Sequence, residues 1–467
     1  MRMPDRPPTL IRLIADVAGQ GTAGGADAAG TRLTSLLLAP GEPDGYLHWD
    51  ELRTRTPPDG LRPEEWWFAV KMRRTAARRE TGLVDPYGQP FVYTLPDQVL
   101  REIEFVASTA SGQIALSEEV TNPATRDRYL VNSLIEESIR SSQLEGAATT
   151  RVVAKEMIRS GRPPRDRSER MIANNFAAMR HIGELRREPL TPDLIRELHR
   201  VVTAGTLDEP DAAGRFQQPD EPRVGVYSGL DEPLYQPPPA RLLPERIDRL
   251  CAFANAPSDS GPAYLPPVLR AIALHFLLGY EHPFVDGNGR TARALFYWSM
   301  LRDGYWLTEF LSISRILRRA PGRYARAYLH TETDDNDLTY FFLHQLGVLH
   351  EAIDGLVVYL ERKMHEVRTM RERLDPIDAE LNHRQLALLR HALRHAGAQY
   401  TVESHRGAHR VVTETARQDL AALAELGLLR RRKIGKRFVF GTVADIARRL
   451  EDLRAGNVGG RDDLPED

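Results

Sequence analysis

A mainly α-helical protein of several domains is predicted by three features of the chain. Apolar residues recur at helical spacing along most of its 467 residues, as in RYLVNSLIEESIRSSQLEGA and PPVLRAIALHFLLGYEH. Strand-forming patterns are confined to short stretches rich in Pro and Gly. The length exceeds one ordinary domain of about 100–200 residues.

Hydrophobic residues at 42% and charged residues at 27% are ordinary values for a globular protein. A formal net charge of −2 provides no global field toward nucleic acid or acidic lipid, so any basic surface must be local. One cysteine, Cys251, rules out an intramolecular disulfide and a Cys-clustered zinc site. The N-terminal residues lack the sustained apolar run of a signal peptide, and no stretch approaches the ~18 apolar residues of a membrane span. The expectation is a cytoplasmic protein with no membrane partner.

Residues 1–63 contain AGQGTAGGADAAG and TRTPPDG, which break any regular period, and are expected to form a loosely structured arm. Residues 64–129 open on the helical pattern EEWWFAVKMRRTAARRE, and DPYGQPFVY then reads as a turn with a strand. Successive amphipathic helices follow from Pro96 to about Arg187, stopped at Gly146 and at SGRPPRD. LTPDLIRELHRVVTAG continues helically, and GRFQQPDEPRVGVYSGLDEPLYQPPP reads as a loop or hairpin.

Helices resume through residue 345, and residues 346–380 read as a linker helix. Residues 381–445 combine helix LNHRQLALLRHAL, a shorter helix, helix TETARQDLAALAEL and two strands around Ile434-Gly435-Lys436. That succession matches a winged helix-turn-helix. Residues 446–467 are expected to be a disordered tail.

The stretch HPFVDGNGRTAR, residues 282–293, lies between two apolar helices. Gly287 and Gly289 let the backbone approach an anion closely, and the helix beginning near Arg290 directs free N–H groups and its positive dipole end to the same place. Arg290 and Arg293, three apart, share one face of that first turn, which suits a di- or triphosphate. Asp286 would face such a ligand only through a bridging cation, pointing to Mg²⁺. His282 can take a proton from an incoming hydroxyl, and Phe284 has the spacing of a core anchor. Singly, each feature is more often a turn, a packed histidine or a solvated face.

Together these residues resemble the Fic family motif HxFx(D/E)GNGRxxR at every defined position, within a Fic-like region of roughly residues 130–345. The resemblance implies a helical core that carries AMP from ATP, with Mg²⁺, onto a Ser, Thr or Tyr hydroxyl of a protein substrate. It implies that His282 is the general base, that Asp286 holds the metal, and that Asn288 and the loop amides of Gly287, Gly289 and Thr291 surround the phosphates. Arg290 and Arg293 would bind the outer phosphates, and Tyr324 falls where relatives contact the base. Ala325 replaces the usual second aromatic residue there, and core packing explains Tyr324 equally well.

At SSQLEG, Ser141 and Glu145 stand four apart on one helix face, and a glutamate at a helix C-terminus opposes the macrodipole at a cost of about 0.3–1 kcal/mol. The segment resembles the family's inhibitory motif, (S/T)xxxE(G/N). The resemblance implies that Glu145 pairs with Arg293, keeps resting activity low, and supports removal of AMP in some relatives. Val224, Gly225 and Val226 match the flap that docks the target protein's backbone, against the alternative of a Pro-rich surface loop.

Arg430, Arg431, Arg432, Lys433, Lys436 and Arg437 form a basic wing able to neutralise DNA phosphates. Thr413, Thr415, Arg417 and Gln418 face outward from the helix before it. A protein-interaction or homodimer module stays open beside DNA binding, as do transfer of another phosphate-containing group and a nucleotide-sensing regulator.

Overall fold

The computed structural model describes residues 2–21, 26–39, 45–58, 60–111, 123–227, 233–257, 259, 264–374, 381–395, 397–409, 411–434, 437–443, 445–446 and 448–450. The chain divides into two compact units, Met1–Val357 and Val358–Asp467.

The first unit is built around helices Pro267–Glu281 and Asn288–Arg302, which pack side by side. Both are buried around most of their circumference, polar residues included, which makes them central. Ile272, Leu274, Leu278, Leu295 and Trp298 are fully buried. Helices Pro123–Leu144, Arg167–Leu185 and Pro192–Thr203 pack against Asn288–Arg302.

Local signals place the helix ends. Asp166 accepts from Glu169 N–H and Thr191 from Leu194 N–H, each satisfying a free donor of a first turn. Helix Arg151–Ser160 stops at Gly161, whose φ of 68° is the left-handed cap expected of glycine.

The N-terminal expectation is corrected. Residues 1–63 contain helices Leu10–Gly21, Ala26–Leu37 and Trp49–Leu52, and Leu13, Leu36, Trp49 and Leu52 form a core with Trp66, Trp67, Phe68 and Val70. The Gly- and Ala-rich run conceals two amphipathic segments, LIRLIADV and TRLTSLLL, which helix Pro63–Ala77 gives something to pack on. That helix stops at Ala77, and the residues after it form an antiparallel pair, β1 (Arg79–Val84) with β2 (Pro90–Tyr93). Asp85 Oδ1 accepts from the N–H groups of Tyr87 and Gln89 to close the turn.

The flap segment forms a short antiparallel pair, β3 (Val226–Tyr227) with β4 (Pro233–Tyr235), while Val224 and Gly225 precede the strand. Helix Thr339–Leu374 begins earlier than the expected linker. Its segment Thr339–Arg362 is long and apolar enough to cross a membrane by length and composition, correcting the expectation that no stretch is. Phe341, Phe342, Leu346 and Ile353 in it are fully buried in the first unit.

The second unit contains helix His383–Arg394, β5 (Gln399–Thr401), helices Val402–His409 and Thr413–Glu425, β6 (Leu429–Ile434) and β7 (Arg437–Thr442). The antiparallel sheet has the order β5-β7-β6. Leu389, Leu420, Leu423, Leu428 and Phe440 form its core, and Ile446 and Leu450 are buried in it, so the unit extends past residue 445. Gly435, Lys436 and residues 451–467 lie outside the described residues.

Leu52 is fully buried between the N-terminal helices and Trp67. Leu52→Ala is expected to destabilise the protein by about 2–5 kcal/mol. Urea denaturation checks this, with faster tryptic cleavage of the N-terminal helices as a second readout.

Candidate active site

The loop joining the two central helices is constrained at both ends. His282, the residue after the first helix, is left-handed at φ 46° and ψ 52°, a conformation uncommon outside glycine. Gly287, which caps the second helix, has φ 82°. A Cβ on Gly287 would stand 2.7 Å from Thr203 Cγ2. Between them Phe284 is fully buried as an anchor, with its ring stacked on His199 at 3.6 Å.

Asn288 ties the loop across its width. Its Oδ1 accepts from Phe284 N–H at 3.0 Å, and its Nδ2 donates to Phe284 O at 2.7 Å while lying 3.3 Å from His282 Nδ1. Thr291, expected beside the nucleotide, is fully buried behind the loop and donates its hydroxyl to Gly287 O at 2.9 Å. Asp286 remains at the mouth, with Oδ2 3.6 Å from Arg290 and 4.0 Å from Arg167.

The two arginines are buried but differently occupied. Arg293 donates from Nε to Ser141 Oγ at 2.9 Å and from Nη2 to Ser141 O at 3.0 Å and Glu145 Oε1 at 2.8 Å. Glu145 lies over Gly289 and fills the space that a Cβ there would need. Gly146 releases helix Pro123–Leu144 at φ 90°, which puts Glu145 at this position. Arg290 donates from Nη1 to Val202 O at 2.8 Å, and its Nε and Nη2 have no hydrogen-bond partner among the described residues. Buried guanidinium donors without hydrogen bonds beside two glycines, next to a partly exposed carboxylate, fit a phosphate ligand with a hard cation.

Burial holds the His282 imidazole down at about 4, assisted by the Arg223 cation and opposed by Glu145, the Val224 backbone and Asp286. The ring is therefore neutral near pH 7, as a proton acceptor must be. His199 was not singled out by the sequence. It is fully buried and is pushed down to about 4 by burial. Its Nδ1 accepts from Gly214 N–H at 2.9 Å, so Nε2 carries the hydrogen and donates to Asp286 O at 2.8 Å. The only signal was its place on the apolar face with Ile195, Leu198 and Val202.

Tyr324 sits in an aromatic cluster with His275, Tyr328 and Phe341. Its hydroxyl is 2.7 Å from His275 Nε2, and it also bonds Arg293. It thus backs the arginine. Val224, Val226 and Tyr227 expose apolar side chains along the flap.

A second cluster, His48, Asp50 and His330, brings three ligand-type atoms within 4.8 Å. The imidazoles stack at 4.2 Å with planes 7° apart, so their in-plane lone pairs run parallel and do not converge on one ion. Both rings approach Asp50 Oδ1, at 2.8 and 3.2 Å, and join the Trp49–Leu52 helix to helix Pro321–Thr333.

The model of the Fic/DOC family matches residues 189–300, which contain the whole loop. The chain carries a Fic domain. It is 27% identical over 279 residues to protein adenylyltransferase Fic of Drosophila persimilis, covering 58% of this chain and 50% of that protein. It is 27% identical over 184 residues to protein adenylyltransferase fic-1 of Caenorhabditis elegans, covering 38% and 33%. The chain spans about half the length of the first of these curated relatives and a third of the second. A solved Fic family protein from Desulfovibrio desulfuricans G20 has the same fold, with a TM-score of 0.53 at 18% identity over 76% of this chain and 98% of that one.

Any side chain on Gly287 meets both the left-handed backbone and Thr203. Gly287→Ala is expected to cost about 1–3 kcal/mol at the loop, read as a lower midpoint in thermal denaturation. Gly322→Ala, where a Cβ meets nothing within 4 Å, should leave the midpoint unchanged or higher.

Proposed function

We propose that this protein is an adenylyltransferase that transfers AMP from ATP to a protein hydroxyl and is held in check by its own Glu145. The observation that carries this reading is the contrast between the arginines: Arg290 keeps two buried donors, Nε and Nη2, without a hydrogen bond, Nη2 lying 3.6 Å from Asp286, while Arg293 Nε and Nη2 are held by Ser141 and Glu145. The names of the Drosophila and Caenorhabditis relatives support adenylyl as the group transferred.

In this mechanism the glycine loop and Arg290 bind the phosphates, and Asn288 keeps the loop amides in place. A divalent cation held by Asp286 would draw negative charge from the phosphates when bound. A Ser, Thr or Tyr hydroxyl of the target, brought in along the flap, gives its proton to neutral His282. Its oxygen forms the new bond to the α-phosphorus, and the bond to the leaving pyrophosphate breaks. The exposed edge from Val224 to Tyr227 suits pairing with an extended target segment.

Glu145 occupies the side of Gly289 where an outer phosphate would reach Arg293, so the nucleotide and the carboxylate compete for one guanidinium. In this reading the same carboxylate would assist water in removing AMP from a modified target.

The second unit favours an additional binding role. Arg430, Arg431, Arg432, Lys433 and Arg437 are all exposed on the β6–β7 hairpin, and Thr413, Arg417 and Gln418 are exposed on the helix before it, with Thr415 half-buried. This element order supports a winged helix that meets DNA phosphates. Loss of a mobility shift in Arg431→Ala/Lys433→Ala checks that role.

Glu145→Gly, incubated with ATP and Mg²⁺, is expected to gain one adenylyl mass by intact-protein mass spectrometry. Wild type should gain little, and Glu145→Gly/His282→Ala none. Transfer of another group, or none with ATP bound, overturns the reading. Because burial lowers the His282 imidazole to about 4, the base form persists well below the ordinary value of about 6.5. With Glu145, which raises the ring, removed, the acid limb of the Glu145→Gly rate profile should lie no higher than about pH 4, with activity lost as pH falls through the His282 value.

A further inference from the structure

The C-terminus of helix Pro267–Glu281 leaves carbonyls without partners in the helix itself, as every helix end does. Here four consecutive carbonyls are satisfied by the feet of the flap. Tyr235 Oη donates to Tyr280 O at 2.7 Å, and Arg223 Nη2 donates to Glu281 O at 2.6 Å and His282 O at 3.1 Å. Gln217 N–H donates to Pro283 O at 2.8 Å. Arg223 is itself braced, from Nε to Pro238 O at 2.7 Å and from Nη1 to Gln217 Oε1. The His282 ring also bonds the backbone of Val224, the residue after Arg223.

We infer that Arg223 and Tyr235 are positioning residues that cap this helix and hold His282 in its left-handed conformation, so that the geometry of the base depends on the flap. A non-glycine residue at φ 46° persists only where its surroundings specify it. The two side chains that do so flank the two flap strands, one before β3 and one at the end of β4. A guanidinium is suited to the task because its fork spans Pro238 O on one side and two helix carbonyls on the other. Its charge also complements the negative end of the helix dipole. A target segment that adds to the flap edge would thereby press on the same residues that orient the base, coupling docking to proton transfer.

The inference rests on the adenylyltransferase reading for its kinetic consequence but not for its geometry. Arg223→Lys, Arg223→Gln and Tyr235→Phe are made in the Glu145→Gly protein. Each should lower kcat by about 10- to 100-fold, as loss of alignment does, while KM for ATP changes by less than about 3-fold. Folding is followed by thermal denaturation, and Tyr235→Phe, which removes one oxygen, guards against unfolding of the arginine variants.

The second readout, NMR titration of the His282 ring, needs no turnover. The ring is faced by Arg223, Glu145 and Asp286. Loss of the Arg223 cation in Arg223→Gln should move its titration to higher pH, Arg223→Lys should leave it low, and all three variants should shift its resonances. Unchanged His282 resonances and titration in the folded variants overturn the inference. Unchanged kcat in an active parent does so as well. An inactive parent in which the resonances shift as expected removes the adenylyltransferase reading and leaves the capping role standing.

Discussion

Two helices that are buried on nearly every side lie against each other at the centre of the first unit, and their junction allows the chain almost no freedom. Pro267–Glu281 ends at a left-handed histidine and Asn288–Arg302 begins at a left-handed glycine. Phe284 is driven inward between them onto His199, and this turns the remaining loop backbone outward. The position of His282, the openness of the loop and the direction of both arginines follow from that packing. Core burial and site geometry are thus the same constraint seen from two sides.

Electrostatics sets a second condition. Arg290 and Arg293 are almost completely buried, and burying a cation is costly unless it is paired. Arg293 is paired by the end of helix Pro123–Leu144, which is anchored in turn where Glu137 accepts from Ser312 Oγ and from Ser314 N–H and Oγ. Arg290 is paired only in part: Asp286 lies 3.6 Å from Nη2, and neither Nε nor Nη2 makes a hydrogen bond among the described residues.

The surroundings of the loop have a supporting logic. His199 fixes the Asp286 carbonyl through a single tautomer, Tyr324 backs Arg293, and the flap feet cap the helix that delivers His282. None of these groups needs to touch a substrate. Each removes a degree of freedom from one that would, and buried hydrogen bonds do this because leaving one unmade costs more than making it contributes.

The twelve residues from His282 to Arg293 were legible as a tight junction between two helices because glycines, arginines and a helix start lie close together in the sequence. The helical class, the buried anchor Phe284 and the stops at Gly146 and Gly161 were legible for the same reason. The N-terminal helices were not, because short Ala- and Gly-rich segments are stable only against a partner such as Trp67, and periodicity does not show the partner. Nor were His199, Tyr235 and Arg223, whose roles rest on carbonyls about 45 to 87 residues away. The sequence by itself determined that His282, two glycines and two arginines come together in one short loop. Only the tertiary structure decided which buried donors are occupied and which are open, since that depends on contacts that exist only once distant helices have packed together.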